Sequence, residues 1–399
     1  MKKRFFIFLC SLLIFAFSCS DDGKNNLLYQ YHSPEEIESF LDEVALKYPN
    51  ITSLDTVGYS QEGRAIRALI ISDRDYPSST LPDPEPRVRF VGAIHGNERI
   101  SAEILIRLIE YLTYNYEKDT TITELINSRY IVVIPVLNPD GLAADRRYNS
   151  RGVDLNRNFS IEWIYSSTSG SSPFSEIETS SFRDYSLGKI FHLSITFHGG
   201  SVLVNTPFDY GRAREGVAPA ENDLVWLYAK AYSTSGNFLN NPDLSQYSYM
   251  EDGVINGGDW YIAKGTLQDW SYKESGCLDL TVEIARRNPS TESEVEQIFL
   301  YNRDSIINYI KMAGYGVYGY VKKDTLPLEG VKITVYYEGS FEGDIYTFTD
   351  SRGFFNRILK AGKYTIKFTK DSTKDSMEKT ITVTVSGNGD DIGTVDMGG

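Results

Sequence analysis

Residues 87–98, with the sequence RVRFVGAIHGNE, decide the fold of this chain. The run from Arg87 to Ile94 is typical of a buried strand, and Ser101–Tyr111 places apolar residues at helical spacing. The stretch therefore predicts a strand that ends at His95 and a helix that begins just after Glu98. The end of a strand that leads into a helix is where open α/β sheets bind ligands.

A second polar strand end lies far downstream, where the strand-like run Leu193–Phe197 leads into His198-Gly199-Gly200. A histidine and a glutamate three residues apart are common by chance, and most such pairs are solvated surface residues. Here both half-sites follow predicted strands. His95, Glu98 and His198 together offer two imidazoles and one carboxylate, a ligand set that binds a catalytic Zn²⁺ and leaves one coordination position open. We therefore predict a zinc hydrolase with one zinc ion per chain.

Composition limits the classes of partner. The 399-residue chain is 41% hydrophobic, which is enough for one large core and a smaller module. Its formal net charge of −14 and its pI near 4.9 argue against nucleic acid as a partner. We expect the chain to be a monomer.

The N-terminus has the features of an export signal. Basic residues at the start precede the short apolar run Phe5–Phe17, and Ser18-Cys19 then resembles the lipobox of bacterial lipoproteins. We expect residues 1–19 to be the signal, 20–28 a tether, and the protein to be lipid-anchored through Cys19 at the outer membrane or cell surface. Cleavage without lipidation, followed by secretion, is the alternative. Only Cys277 then remains in the folded part, so no intrachain disulfide is expected.

Strand-like and helix-like segments alternate between residues 29 and 314. Strands are predicted at Ile66–Ile71, Arg87–Ile94, Tyr130–Leu137, Leu193–Phe197 and Leu278–Ile284, and helices at Ser101–Tyr116, Ser175–Ser186, Ala220–Tyr232 and Glu292–Met312. Before them, Ser33-Pro34-Glu35-Glu36 is a helix start with a capping box. The alternation predicts an α/β domain with a mixed parallel and antiparallel sheet flanked by helices.

The pattern changes after Gly314. Residues 315–399 contain short alternating segments separated by turn signals such as Asp350-Ser351-Arg352-Gly353. This region is predicted to be a small all-β sandwich with a structural or adhesive role.

Residues 147–159, RYNSRGVDLNRNF, are rich in hydrogen-bond donors. Guanidinium and amide groups suit a site that grips a carboxylate. A solvated arginine-rich loop is the alternative, but metal half-sites flank this segment on both sides.

These residues together resemble the zinc metallocarboxypeptidases over about residues 29–312. The matching motifs are His95-x-x-Glu98, Asn138-Pro-Asp-Gly141, Asp154-Leu-Asn156-Arg157, His198-Gly-Gly, Trp260-Tyr261 and Thr281-x-Glu283. Residues 315–399 resemble the transthyretin-like domain that follows the catalytic domain in the carboxypeptidase N, E, M and D branch. The resemblance implies that His95, Glu98 and His198 bind zinc, and that Asp154 orients His95 from outside the coordination sphere.

The same resemblance implies roles in catalysis. It implies that Asn156 and Arg157 hold the substrate's terminal carboxylate, and that Tyr261 closes over it. Arg147 would polarise the scissile carbonyl, and Glu283 would be the general base for an attacking water.

Specificity follows from two further positions. Asp209 and Gln268 match residues that line the side-chain pocket in the branch that cleaves basic residues. A carboxylate in a confined pocket favours a cationic side chain, because burying it without a partner is costly. The resemblance therefore implies release of C-terminal Arg or Lys, unless Asp209 merely caps a turn.

Two other functions stay open at this point. One is a cell-wall carboxypeptidase acting on diaminopimelate-containing stem peptides, whose side-chain ammonium would also suit Asp209. The other is a catalytically silent surface protein that binds peptides, although such proteins typically lose a metal ligand or the base.

Overall fold

The computed structural model describes residues 28–73, 85–337, 341–343, 345–371 and 376–398. The predicted signal, Cys19 and almost all of the tether lie outside these residues. None of the helices in the described ranges is long and apolar enough to cross a membrane.

An eight-stranded mixed sheet forms the first part of the chain, in the order β1-β2-β4-β3-β5-β8-β6-β7. Its strands are β1 Thr52–Tyr59, β2 Ala65–Ile71, β3 Arg87–Val91, β4 Tyr130–Ile134, β5 Leu193–His198, β6 Ser201–Thr206, β7 Val254–Asn256 and β8 Leu278–Ala285. The central strands β4, β3, β5 and β8 run parallel, whereas β1, β2 and β6 join antiparallel neighbours. The mixed sheet predicted from the sequence is confirmed.

Helices cover both faces of this sheet. They are α1 Pro34–Lys47, α2 Ile100–Asn115, α3 Thr120–Ile126, α4 Pro139–Ala143, α5 Ile177–Lys189, α6 Asn222–Thr234, α7 Gly257–Trp260, α8 Leu267–Glu274 and α9 Glu292–Met312. Alternate residues of a strand point to opposite faces, so Val133 joins one hydrophobic core while Val132 and Ile134 join the other. The capping box of Ser33 and Glu36 is present at the start of α1, as predicted.

The strand that defines the fold ends earlier than predicted. β3 stops at Val91, and the chain reaches His95 by a crossing in which the Gly92 amide donates to the carbonyl of Ile134. A Cβ at Gly92 would lie 2.6 Å from backbone oxygens of Pro135 and Ser101, so only glycine fits there. This close crossing fixes the turn that carries His95 and Glu98.

The C-terminal region consists of short strands in two sheets. They are β9 Val317–Lys323, β10 Leu326–Pro327, β11 Lys332–Tyr337, β12 Phe341–Glu342, β13 Thr347–Phe348, β14 Phe354–Arg357, β15 Gly362–Lys370, β16 Met377–Val385 and β17 Asp390–Asp396. One sheet contains β10-β9-β14 with β17 beside β9, and the other β12-β11-β15-β16 with β13 beside β11. Buried residues of both sheets, including Val321, Ile333 and Phe355, share one hydrophobic core. The region is a β-sandwich.

Two histidines outside the metal motif have opposite environments. The Nδ1 atom of His192 accepts the backbone N–H of Arg87 at 2.9 Å, and burial, followed by the charges of Arg87 and Arg357, lowers the pKa of His192 from 6.5 to about 3. In contrast, His32 lies 2.9 Å from a carboxylate oxygen of Glu103, and this hydrogen bond raises the pKa of His32.

We predict that His192→Gln flattens the dependence of stability on pH. Between pH 6.5 and 3 the unfolded chain binds a proton at His192 and the folded protein does not, so this residue lowers the free energy of unfolding as pH falls. Between pH 7 and pH 5, the wild type should lose ~2 kcal/mol more than His192→Gln in urea unfolding. His32→Gln is the control of opposite sign, because a raised pKa stabilises the folded state at low pH. An unchanged pH dependence in His192→Gln would contradict the assignment.

Candidate active site

Three side chains from distant segments meet at the carboxyl ends of the parallel strands. His95 and Glu98 lie in the turn between β3 and α2, and His198 is the last residue of β5. The Nδ1 atoms of His95 and His198 lie 2.8 Å and 2.9 Å from the two carboxylate oxygens of Glu98. Within the described residues, these three side chains are the one group of His, Cys, Asp or Glu whose ligand atoms all lie within 4.8 Å of one another.

The turn that carries His95 and Glu98 is tightly packed. The amide of Glu98 donates to the carbonyl of His95, and the hydroxyl of Ser101 donates to the carbonyl of Glu98 at 2.6 Å. A Cβ at Gly96 would lie 2.0 Å from the carbonyl carbon of Gly141, so the turn fits only because residue 96 is glycine. The Gly199 amide then donates to Glu98 at 3.0 Å, which links the turn to the end of β5.

Asp154 holds the outer side of His95. One of its oxygens lies 3.1 Å from Nε2 of His95, while Nε and Nη2 of Arg147 donate to its other oxygen at 2.9 Å. Because Nε2 donates its hydrogen to Asp154, Nδ1 carries the lone pair that His95 can offer to a metal ion. The same carboxylate therefore orients both His95 and Arg147.

The charges of this cluster compensate one another. Burial alone would raise the pKa of Glu98, but the two neighbouring imidazoles bring it far below its usual value. The pKa of Asp154 is likewise depressed by His95 and Arg147 despite burial. The Glu98 carboxylate and the two imidazoles, with both Nδ1 atoms directed at Glu98, are a donor set that fits Zn²⁺.

A cavity of about 200 Å³ opens next to this cluster. Among the residues that line it are His95, Glu98, His198, Arg147, Asn156, Arg157, Asp209, Tyr261 and Glu283. Nine of the eleven predicted site residues therefore face one space. The other two, Asp154 and Gln268, lie directly behind its wall.

Asn156 and Arg157 lie in a short 3₁₀ turn that Asp154 caps by accepting the Asn156 amide at 3.0 Å. The side-chain oxygen of Asn156 accepts the amide of Leu267 at 2.9 Å, so its NH₂ group is the part that can donate to a ligand. Arg157 adds a guanidinium to the same wall. Paired amide and guanidinium donors suit a carboxylate.

Tyr261 lies at the rim, directly after α7. Its side chain is 47% exposed, and its ring packs edge-on against Trp260 at 4.6 Å between centroids. The chain thus places a half-exposed phenol beside Arg157, where it can cover a bound ligand.

Glu283 lies on β8, where it is paired in register with His198 of β5. It is 7% exposed, and among the described residues no protein group hydrogen-bonds its buried Oε2 atom. Burial, and then the nearby Glu98 carboxylate, raise the pKa of Glu283 well above its usual value. A buried carboxylate with a raised pKa, aimed into a cavity, is a candidate general base.

Asp209 lines the same cavity. It is 5% exposed, and its Oδ1 atom accepts hydrogen bonds from Asn205 at 2.9 Å and from Gln268 at 3.4 Å. Gln268 lies behind this wall, where its own carbonyl oxygen accepts the Thr281 amide at 2.6 Å. The structure thus places Gln268 as a support for Asp209, whereas the sequence analysis expected it to line the pocket.

Asp269 was missed by the sequence analysis. Its carboxylate accepts the backbone amides of Asp209, at 2.9 Å and 3.1 Å, and of Tyr210, at 3.2 Å. Burial and then the neighbouring Asp209 raise the pKa of Asp269 well above its usual value. The sequence offers only a sign of a helix start at this residue, because Thr266 and Asp269 occupy the N-cap and third positions of α8.

The fold and the site together define an α/β metalloenzyme. Residues 37–313 match the family model described as zinc carboxypeptidase. The chain is 33% identical to human carboxypeptidase D over 309 residues, which cover 73% of this chain and 22% of that protein. It is 30% identical to mouse carboxypeptidase M, with 86% of this chain and 78% of that protein covered. Rat carboxypeptidase N catalytic chain is 28% identical, with 90% and 83% covered.

The chain belongs to the zinc carboxypeptidase family. It spans only about a fifth of the length of carboxypeptidase D. Carboxypeptidase A from Helicoverpa armigera has the same fold, with a TM-score of 0.59, 24% identity, and coverage of 71% of this chain and 74% of that one. The β-sandwich after residue 314 fits the transthyretin-like domain that the sequence resembles.

We predict that Asp154→Asn weakens zinc binding roughly 10- to 100-fold, because a neutral amide oxygen accepts the Nε2–H of His95 without the negative charge that raises the basicity of Nδ1. Competition with a chromogenic chelator measures this affinity, and elemental analysis should give one zinc per wild-type chain. Asp243→Asn, a surface substitution, is the control. Wild-type zinc affinity in Asp154→Asn would show that this contact does not support the metal site.

Proposed function

We propose that this protein is a zinc-dependent carboxypeptidase that releases C-terminal Arg or Lys from peptides and proteins. The observation that supports the proposal is the shared cavity, whose lining includes the Asp209 carboxylate together with Arg157 and the cluster of His95, Glu98 and His198. A cavity lined by both guanidinium groups and a carboxylate fits a residue that ends in a carboxylate and carries a basic side chain.

Zn²⁺ held by His95, Glu98 and His198 would polarise a carbonyl group and lower the pKa of a water molecule to about 7. Asp154 keeps His95 in the tautomer that such binding needs.

Substrate positioning falls to Asn156, Arg157 and Tyr261. The Asn156 NH₂ group and the Arg157 guanidinium bind the terminal carboxylate, which selects a free C-terminus. Tyr261, half exposed at the rim, moves over the bound residue and excludes water.

Glu283 and Arg147 carry out the proton transfer and charge stabilisation. Glu283 accepts a proton from the attacking water as its oxygen bonds to the scissile carbonyl carbon. Arg147, held in place by Asp154, stabilises the negative charge on the carbonyl oxygen. When the C–N bond breaks, Glu283 gives the proton to the amine that leaves.

The Asp209 carboxylate accounts for the preference for basic residues. Burial raises its pKa, while hydrogen bonds from Asn205 and Thr266 and the charge of Arg157 oppose that effect. A substrate ammonium or guanidinium entering the cavity would pair with this carboxylate and offset the cost of burying its charge.

The setting of the enzyme is part of the proposal. The signal-like residues 1–19 support export, with Cys19 as the point of lipid attachment at the cell surface. The substrates there are free peptide or protein C-termini, and the expected oligomeric state is a monomer.

We predict that Glu283→Gln lowers kcat roughly a thousandfold, because an amide cannot accept the water proton. Zinc content and KM should stay near wild type, since Glu283 is not one of the three clustered metal ligands. Steady-state kinetics on a blocked dipeptide ending in Arg measures the effect. Glu251→Gln, an exposed residue paired with Lys230, is the matched control. Equal inactivity of wild type and Glu283→Gln on every peptide would favour the binding-protein alternative.

We predict that Asp209→Asn lowers kcat/KM for C-terminal Arg and Lys roughly a hundredfold, because the cationic side chain loses its counter-charge in a buried pocket. Cleavage of C-terminal Leu should not fall. A panel of C-terminal residues, assayed with and without a chelator, measures both.

The same panel should include stem peptides with a diaminopimelate residue. Cleavage of muropeptides with basic dipeptides left intact would reject our proposal in favour of the cell-wall enzyme. An unchanged Arg-to-Leu ratio in Asp209→Asn would remove Asp209 from the specificity pocket.

A further inference from the structure

We propose that the C-terminal β-sandwich braces the specificity pocket through helix α8, an inference that rests on the basic pocket of the proposed function. Helix α8 touches the pocket at its N-terminal end and the β-sandwich at its C-terminal end. The β-sandwich would thus set how tightly the enzyme binds a basic residue without contributing a side chain to the cavity.

At the N-terminal end, α8 holds Asp209 from two sides. Gln268 donates to the Asp209 carboxylate, and Asp269 accepts the amides of Asp209 and Tyr210. Both residues are almost completely buried, at 1% and 0% exposure. The direction in which the Asp209 carboxylate points therefore depends on where α8 lies.

The middle of α8 packs against the residue before Asp209. The ring of Tyr272 meets the ring of Phe208 edge-on, with 5.4 Å between centroids, and the ammonium of Lys273 lies 4.9 Å from the centroid of Phe208. A shift of α8 would therefore move Phe208 and Asp209 together.

At the C-terminal end, Tyr272 leads to the β-sandwich. The Tyr272 hydroxyl donates to Oε2 of Glu221 at 2.9 Å. Arg357, on β14, donates from Nη2 to the other oxygen of Glu221, Oε1, at 2.7 Å. The backbone amide of Ile345 also reaches this carboxylate, at 3.3 Å. Glu221 and Arg357 are 2% and 1% exposed, so the carboxylate needs this charge partner from the other domain.

A second contact joins the same end of α8 to the β-sandwich. The hydroxyl of Tyr346 donates to the carbonyl of Glu274, the last residue of α8, at 2.6 Å. Next to it, a Cβ at Gly276 would lie 2.0 Å from the carbonyl oxygen of Tyr346, so the two backbones are in close contact. The carbonyl that ends α8 thus bonds to a side chain of the other domain.

Helix α8 is short enough to act as one rigid element. Its eight residues span about 12 Å, and from Leu267 to Tyr272 every residue is buried. Close-packed interiors transmit displacement because they have few voids to absorb it. Loss of the β-sandwich contacts should therefore loosen the pocket wall while leaving the metal ligands, which lie on other elements, in place.

The chain offers a matched control. Lys360 of the β-sandwich pairs with Asp223 of α6 at 3.1 Å, but Asp223 is 85% exposed, and this ion pair does not involve α8. Lys360→Met removes a contact between the same two parts of the molecule without touching the proposed brace.

The experiment compares Tyr272→Phe, Tyr346→Phe and their combination with Lys360→Met, all in the full chain with zinc bound. Each Phe keeps the ring and removes one hydroxyl, so folding should be preserved. We expect KM for C-terminal Arg to rise roughly fivefold in the double variant, with kcat within about twofold and C-terminal Leu unaffected. Hydrogen exchange of the Asp209 and Tyr210 amides should be faster, while Lys360→Met behaves as wild type in both measurements.

The outcomes separate the brace from the function on which it rests. A wild type without preference for Arg or Lys overturns the basic pocket, and the hydrogen-exchange comparison then still tests the brace by itself. A wild type with that preference, combined with unchanged KM and exchange in the double variant, overturns the brace. An equal loss of kcat on all substrates, or the same effects in Lys360→Met, would also overturn it, because the role would then be general stability.

Discussion

The rest of the structure depends on the burial of ionised carboxylates among imidazoles and guanidinium groups at one end of the sheet. Glu98 lies between His95 and His198, and Asp154 between His95 and Arg147. An isolated carboxylate in such a place would cost many kilocalories per mole, so each must meet its partners or take up a proton. The fold therefore has to bring three segments of the chain together within hydrogen-bond distance.

The parallel strands meet this requirement because their carboxyl ends all lie at one edge. His198 ends β5, Glu283 lies beside it on β8, and the turn after β3 delivers His95 and Glu98. Glycines at 92 and 96 allow that turn to pass directly against neighbouring backbone. The site therefore depends on the topology of the sheet, since a different strand order would separate His95, Glu98 and His198.

The sequence predicted the mixed sheet, and it predicted that His95, Glu98 and His198 come together, because apolar periodicity and short motifs can be seen in the sequence itself. It missed β1, which is only partly buried, the three-residue β7, and β6, which follows Gly199-Gly200 directly after β5. The side chain of Gln268, which was predicted to line the pocket, is 1% exposed and donates to Asp209. The role of Asp269 could not be read from the chain either, since it depends on backbone amides fifty-nine and sixty residues away. The residues that support the cavity wall from behind are therefore the part that the sequence does not predict, because their contacts join distant segments and follow no motif.

Buried ion pairs join several elements of the fold to one another, and they help to specify how those elements pack. Arg89 of β3 donates to Asp279 of β8 at 3.1 Å, and both are 0% exposed. Arg357 meets Glu221 in the same way between the β-sandwich and α6. Such pairs add little net stability, but breaking one leaves an uncompensated charge in the core. If the sheet register shifted by one residue, or if the β-sandwich packed at another place, a buried charge would lose its partner. The ion pairs therefore favour the observed arrangement of the elements around the cavity over slightly different arrangements of the same elements.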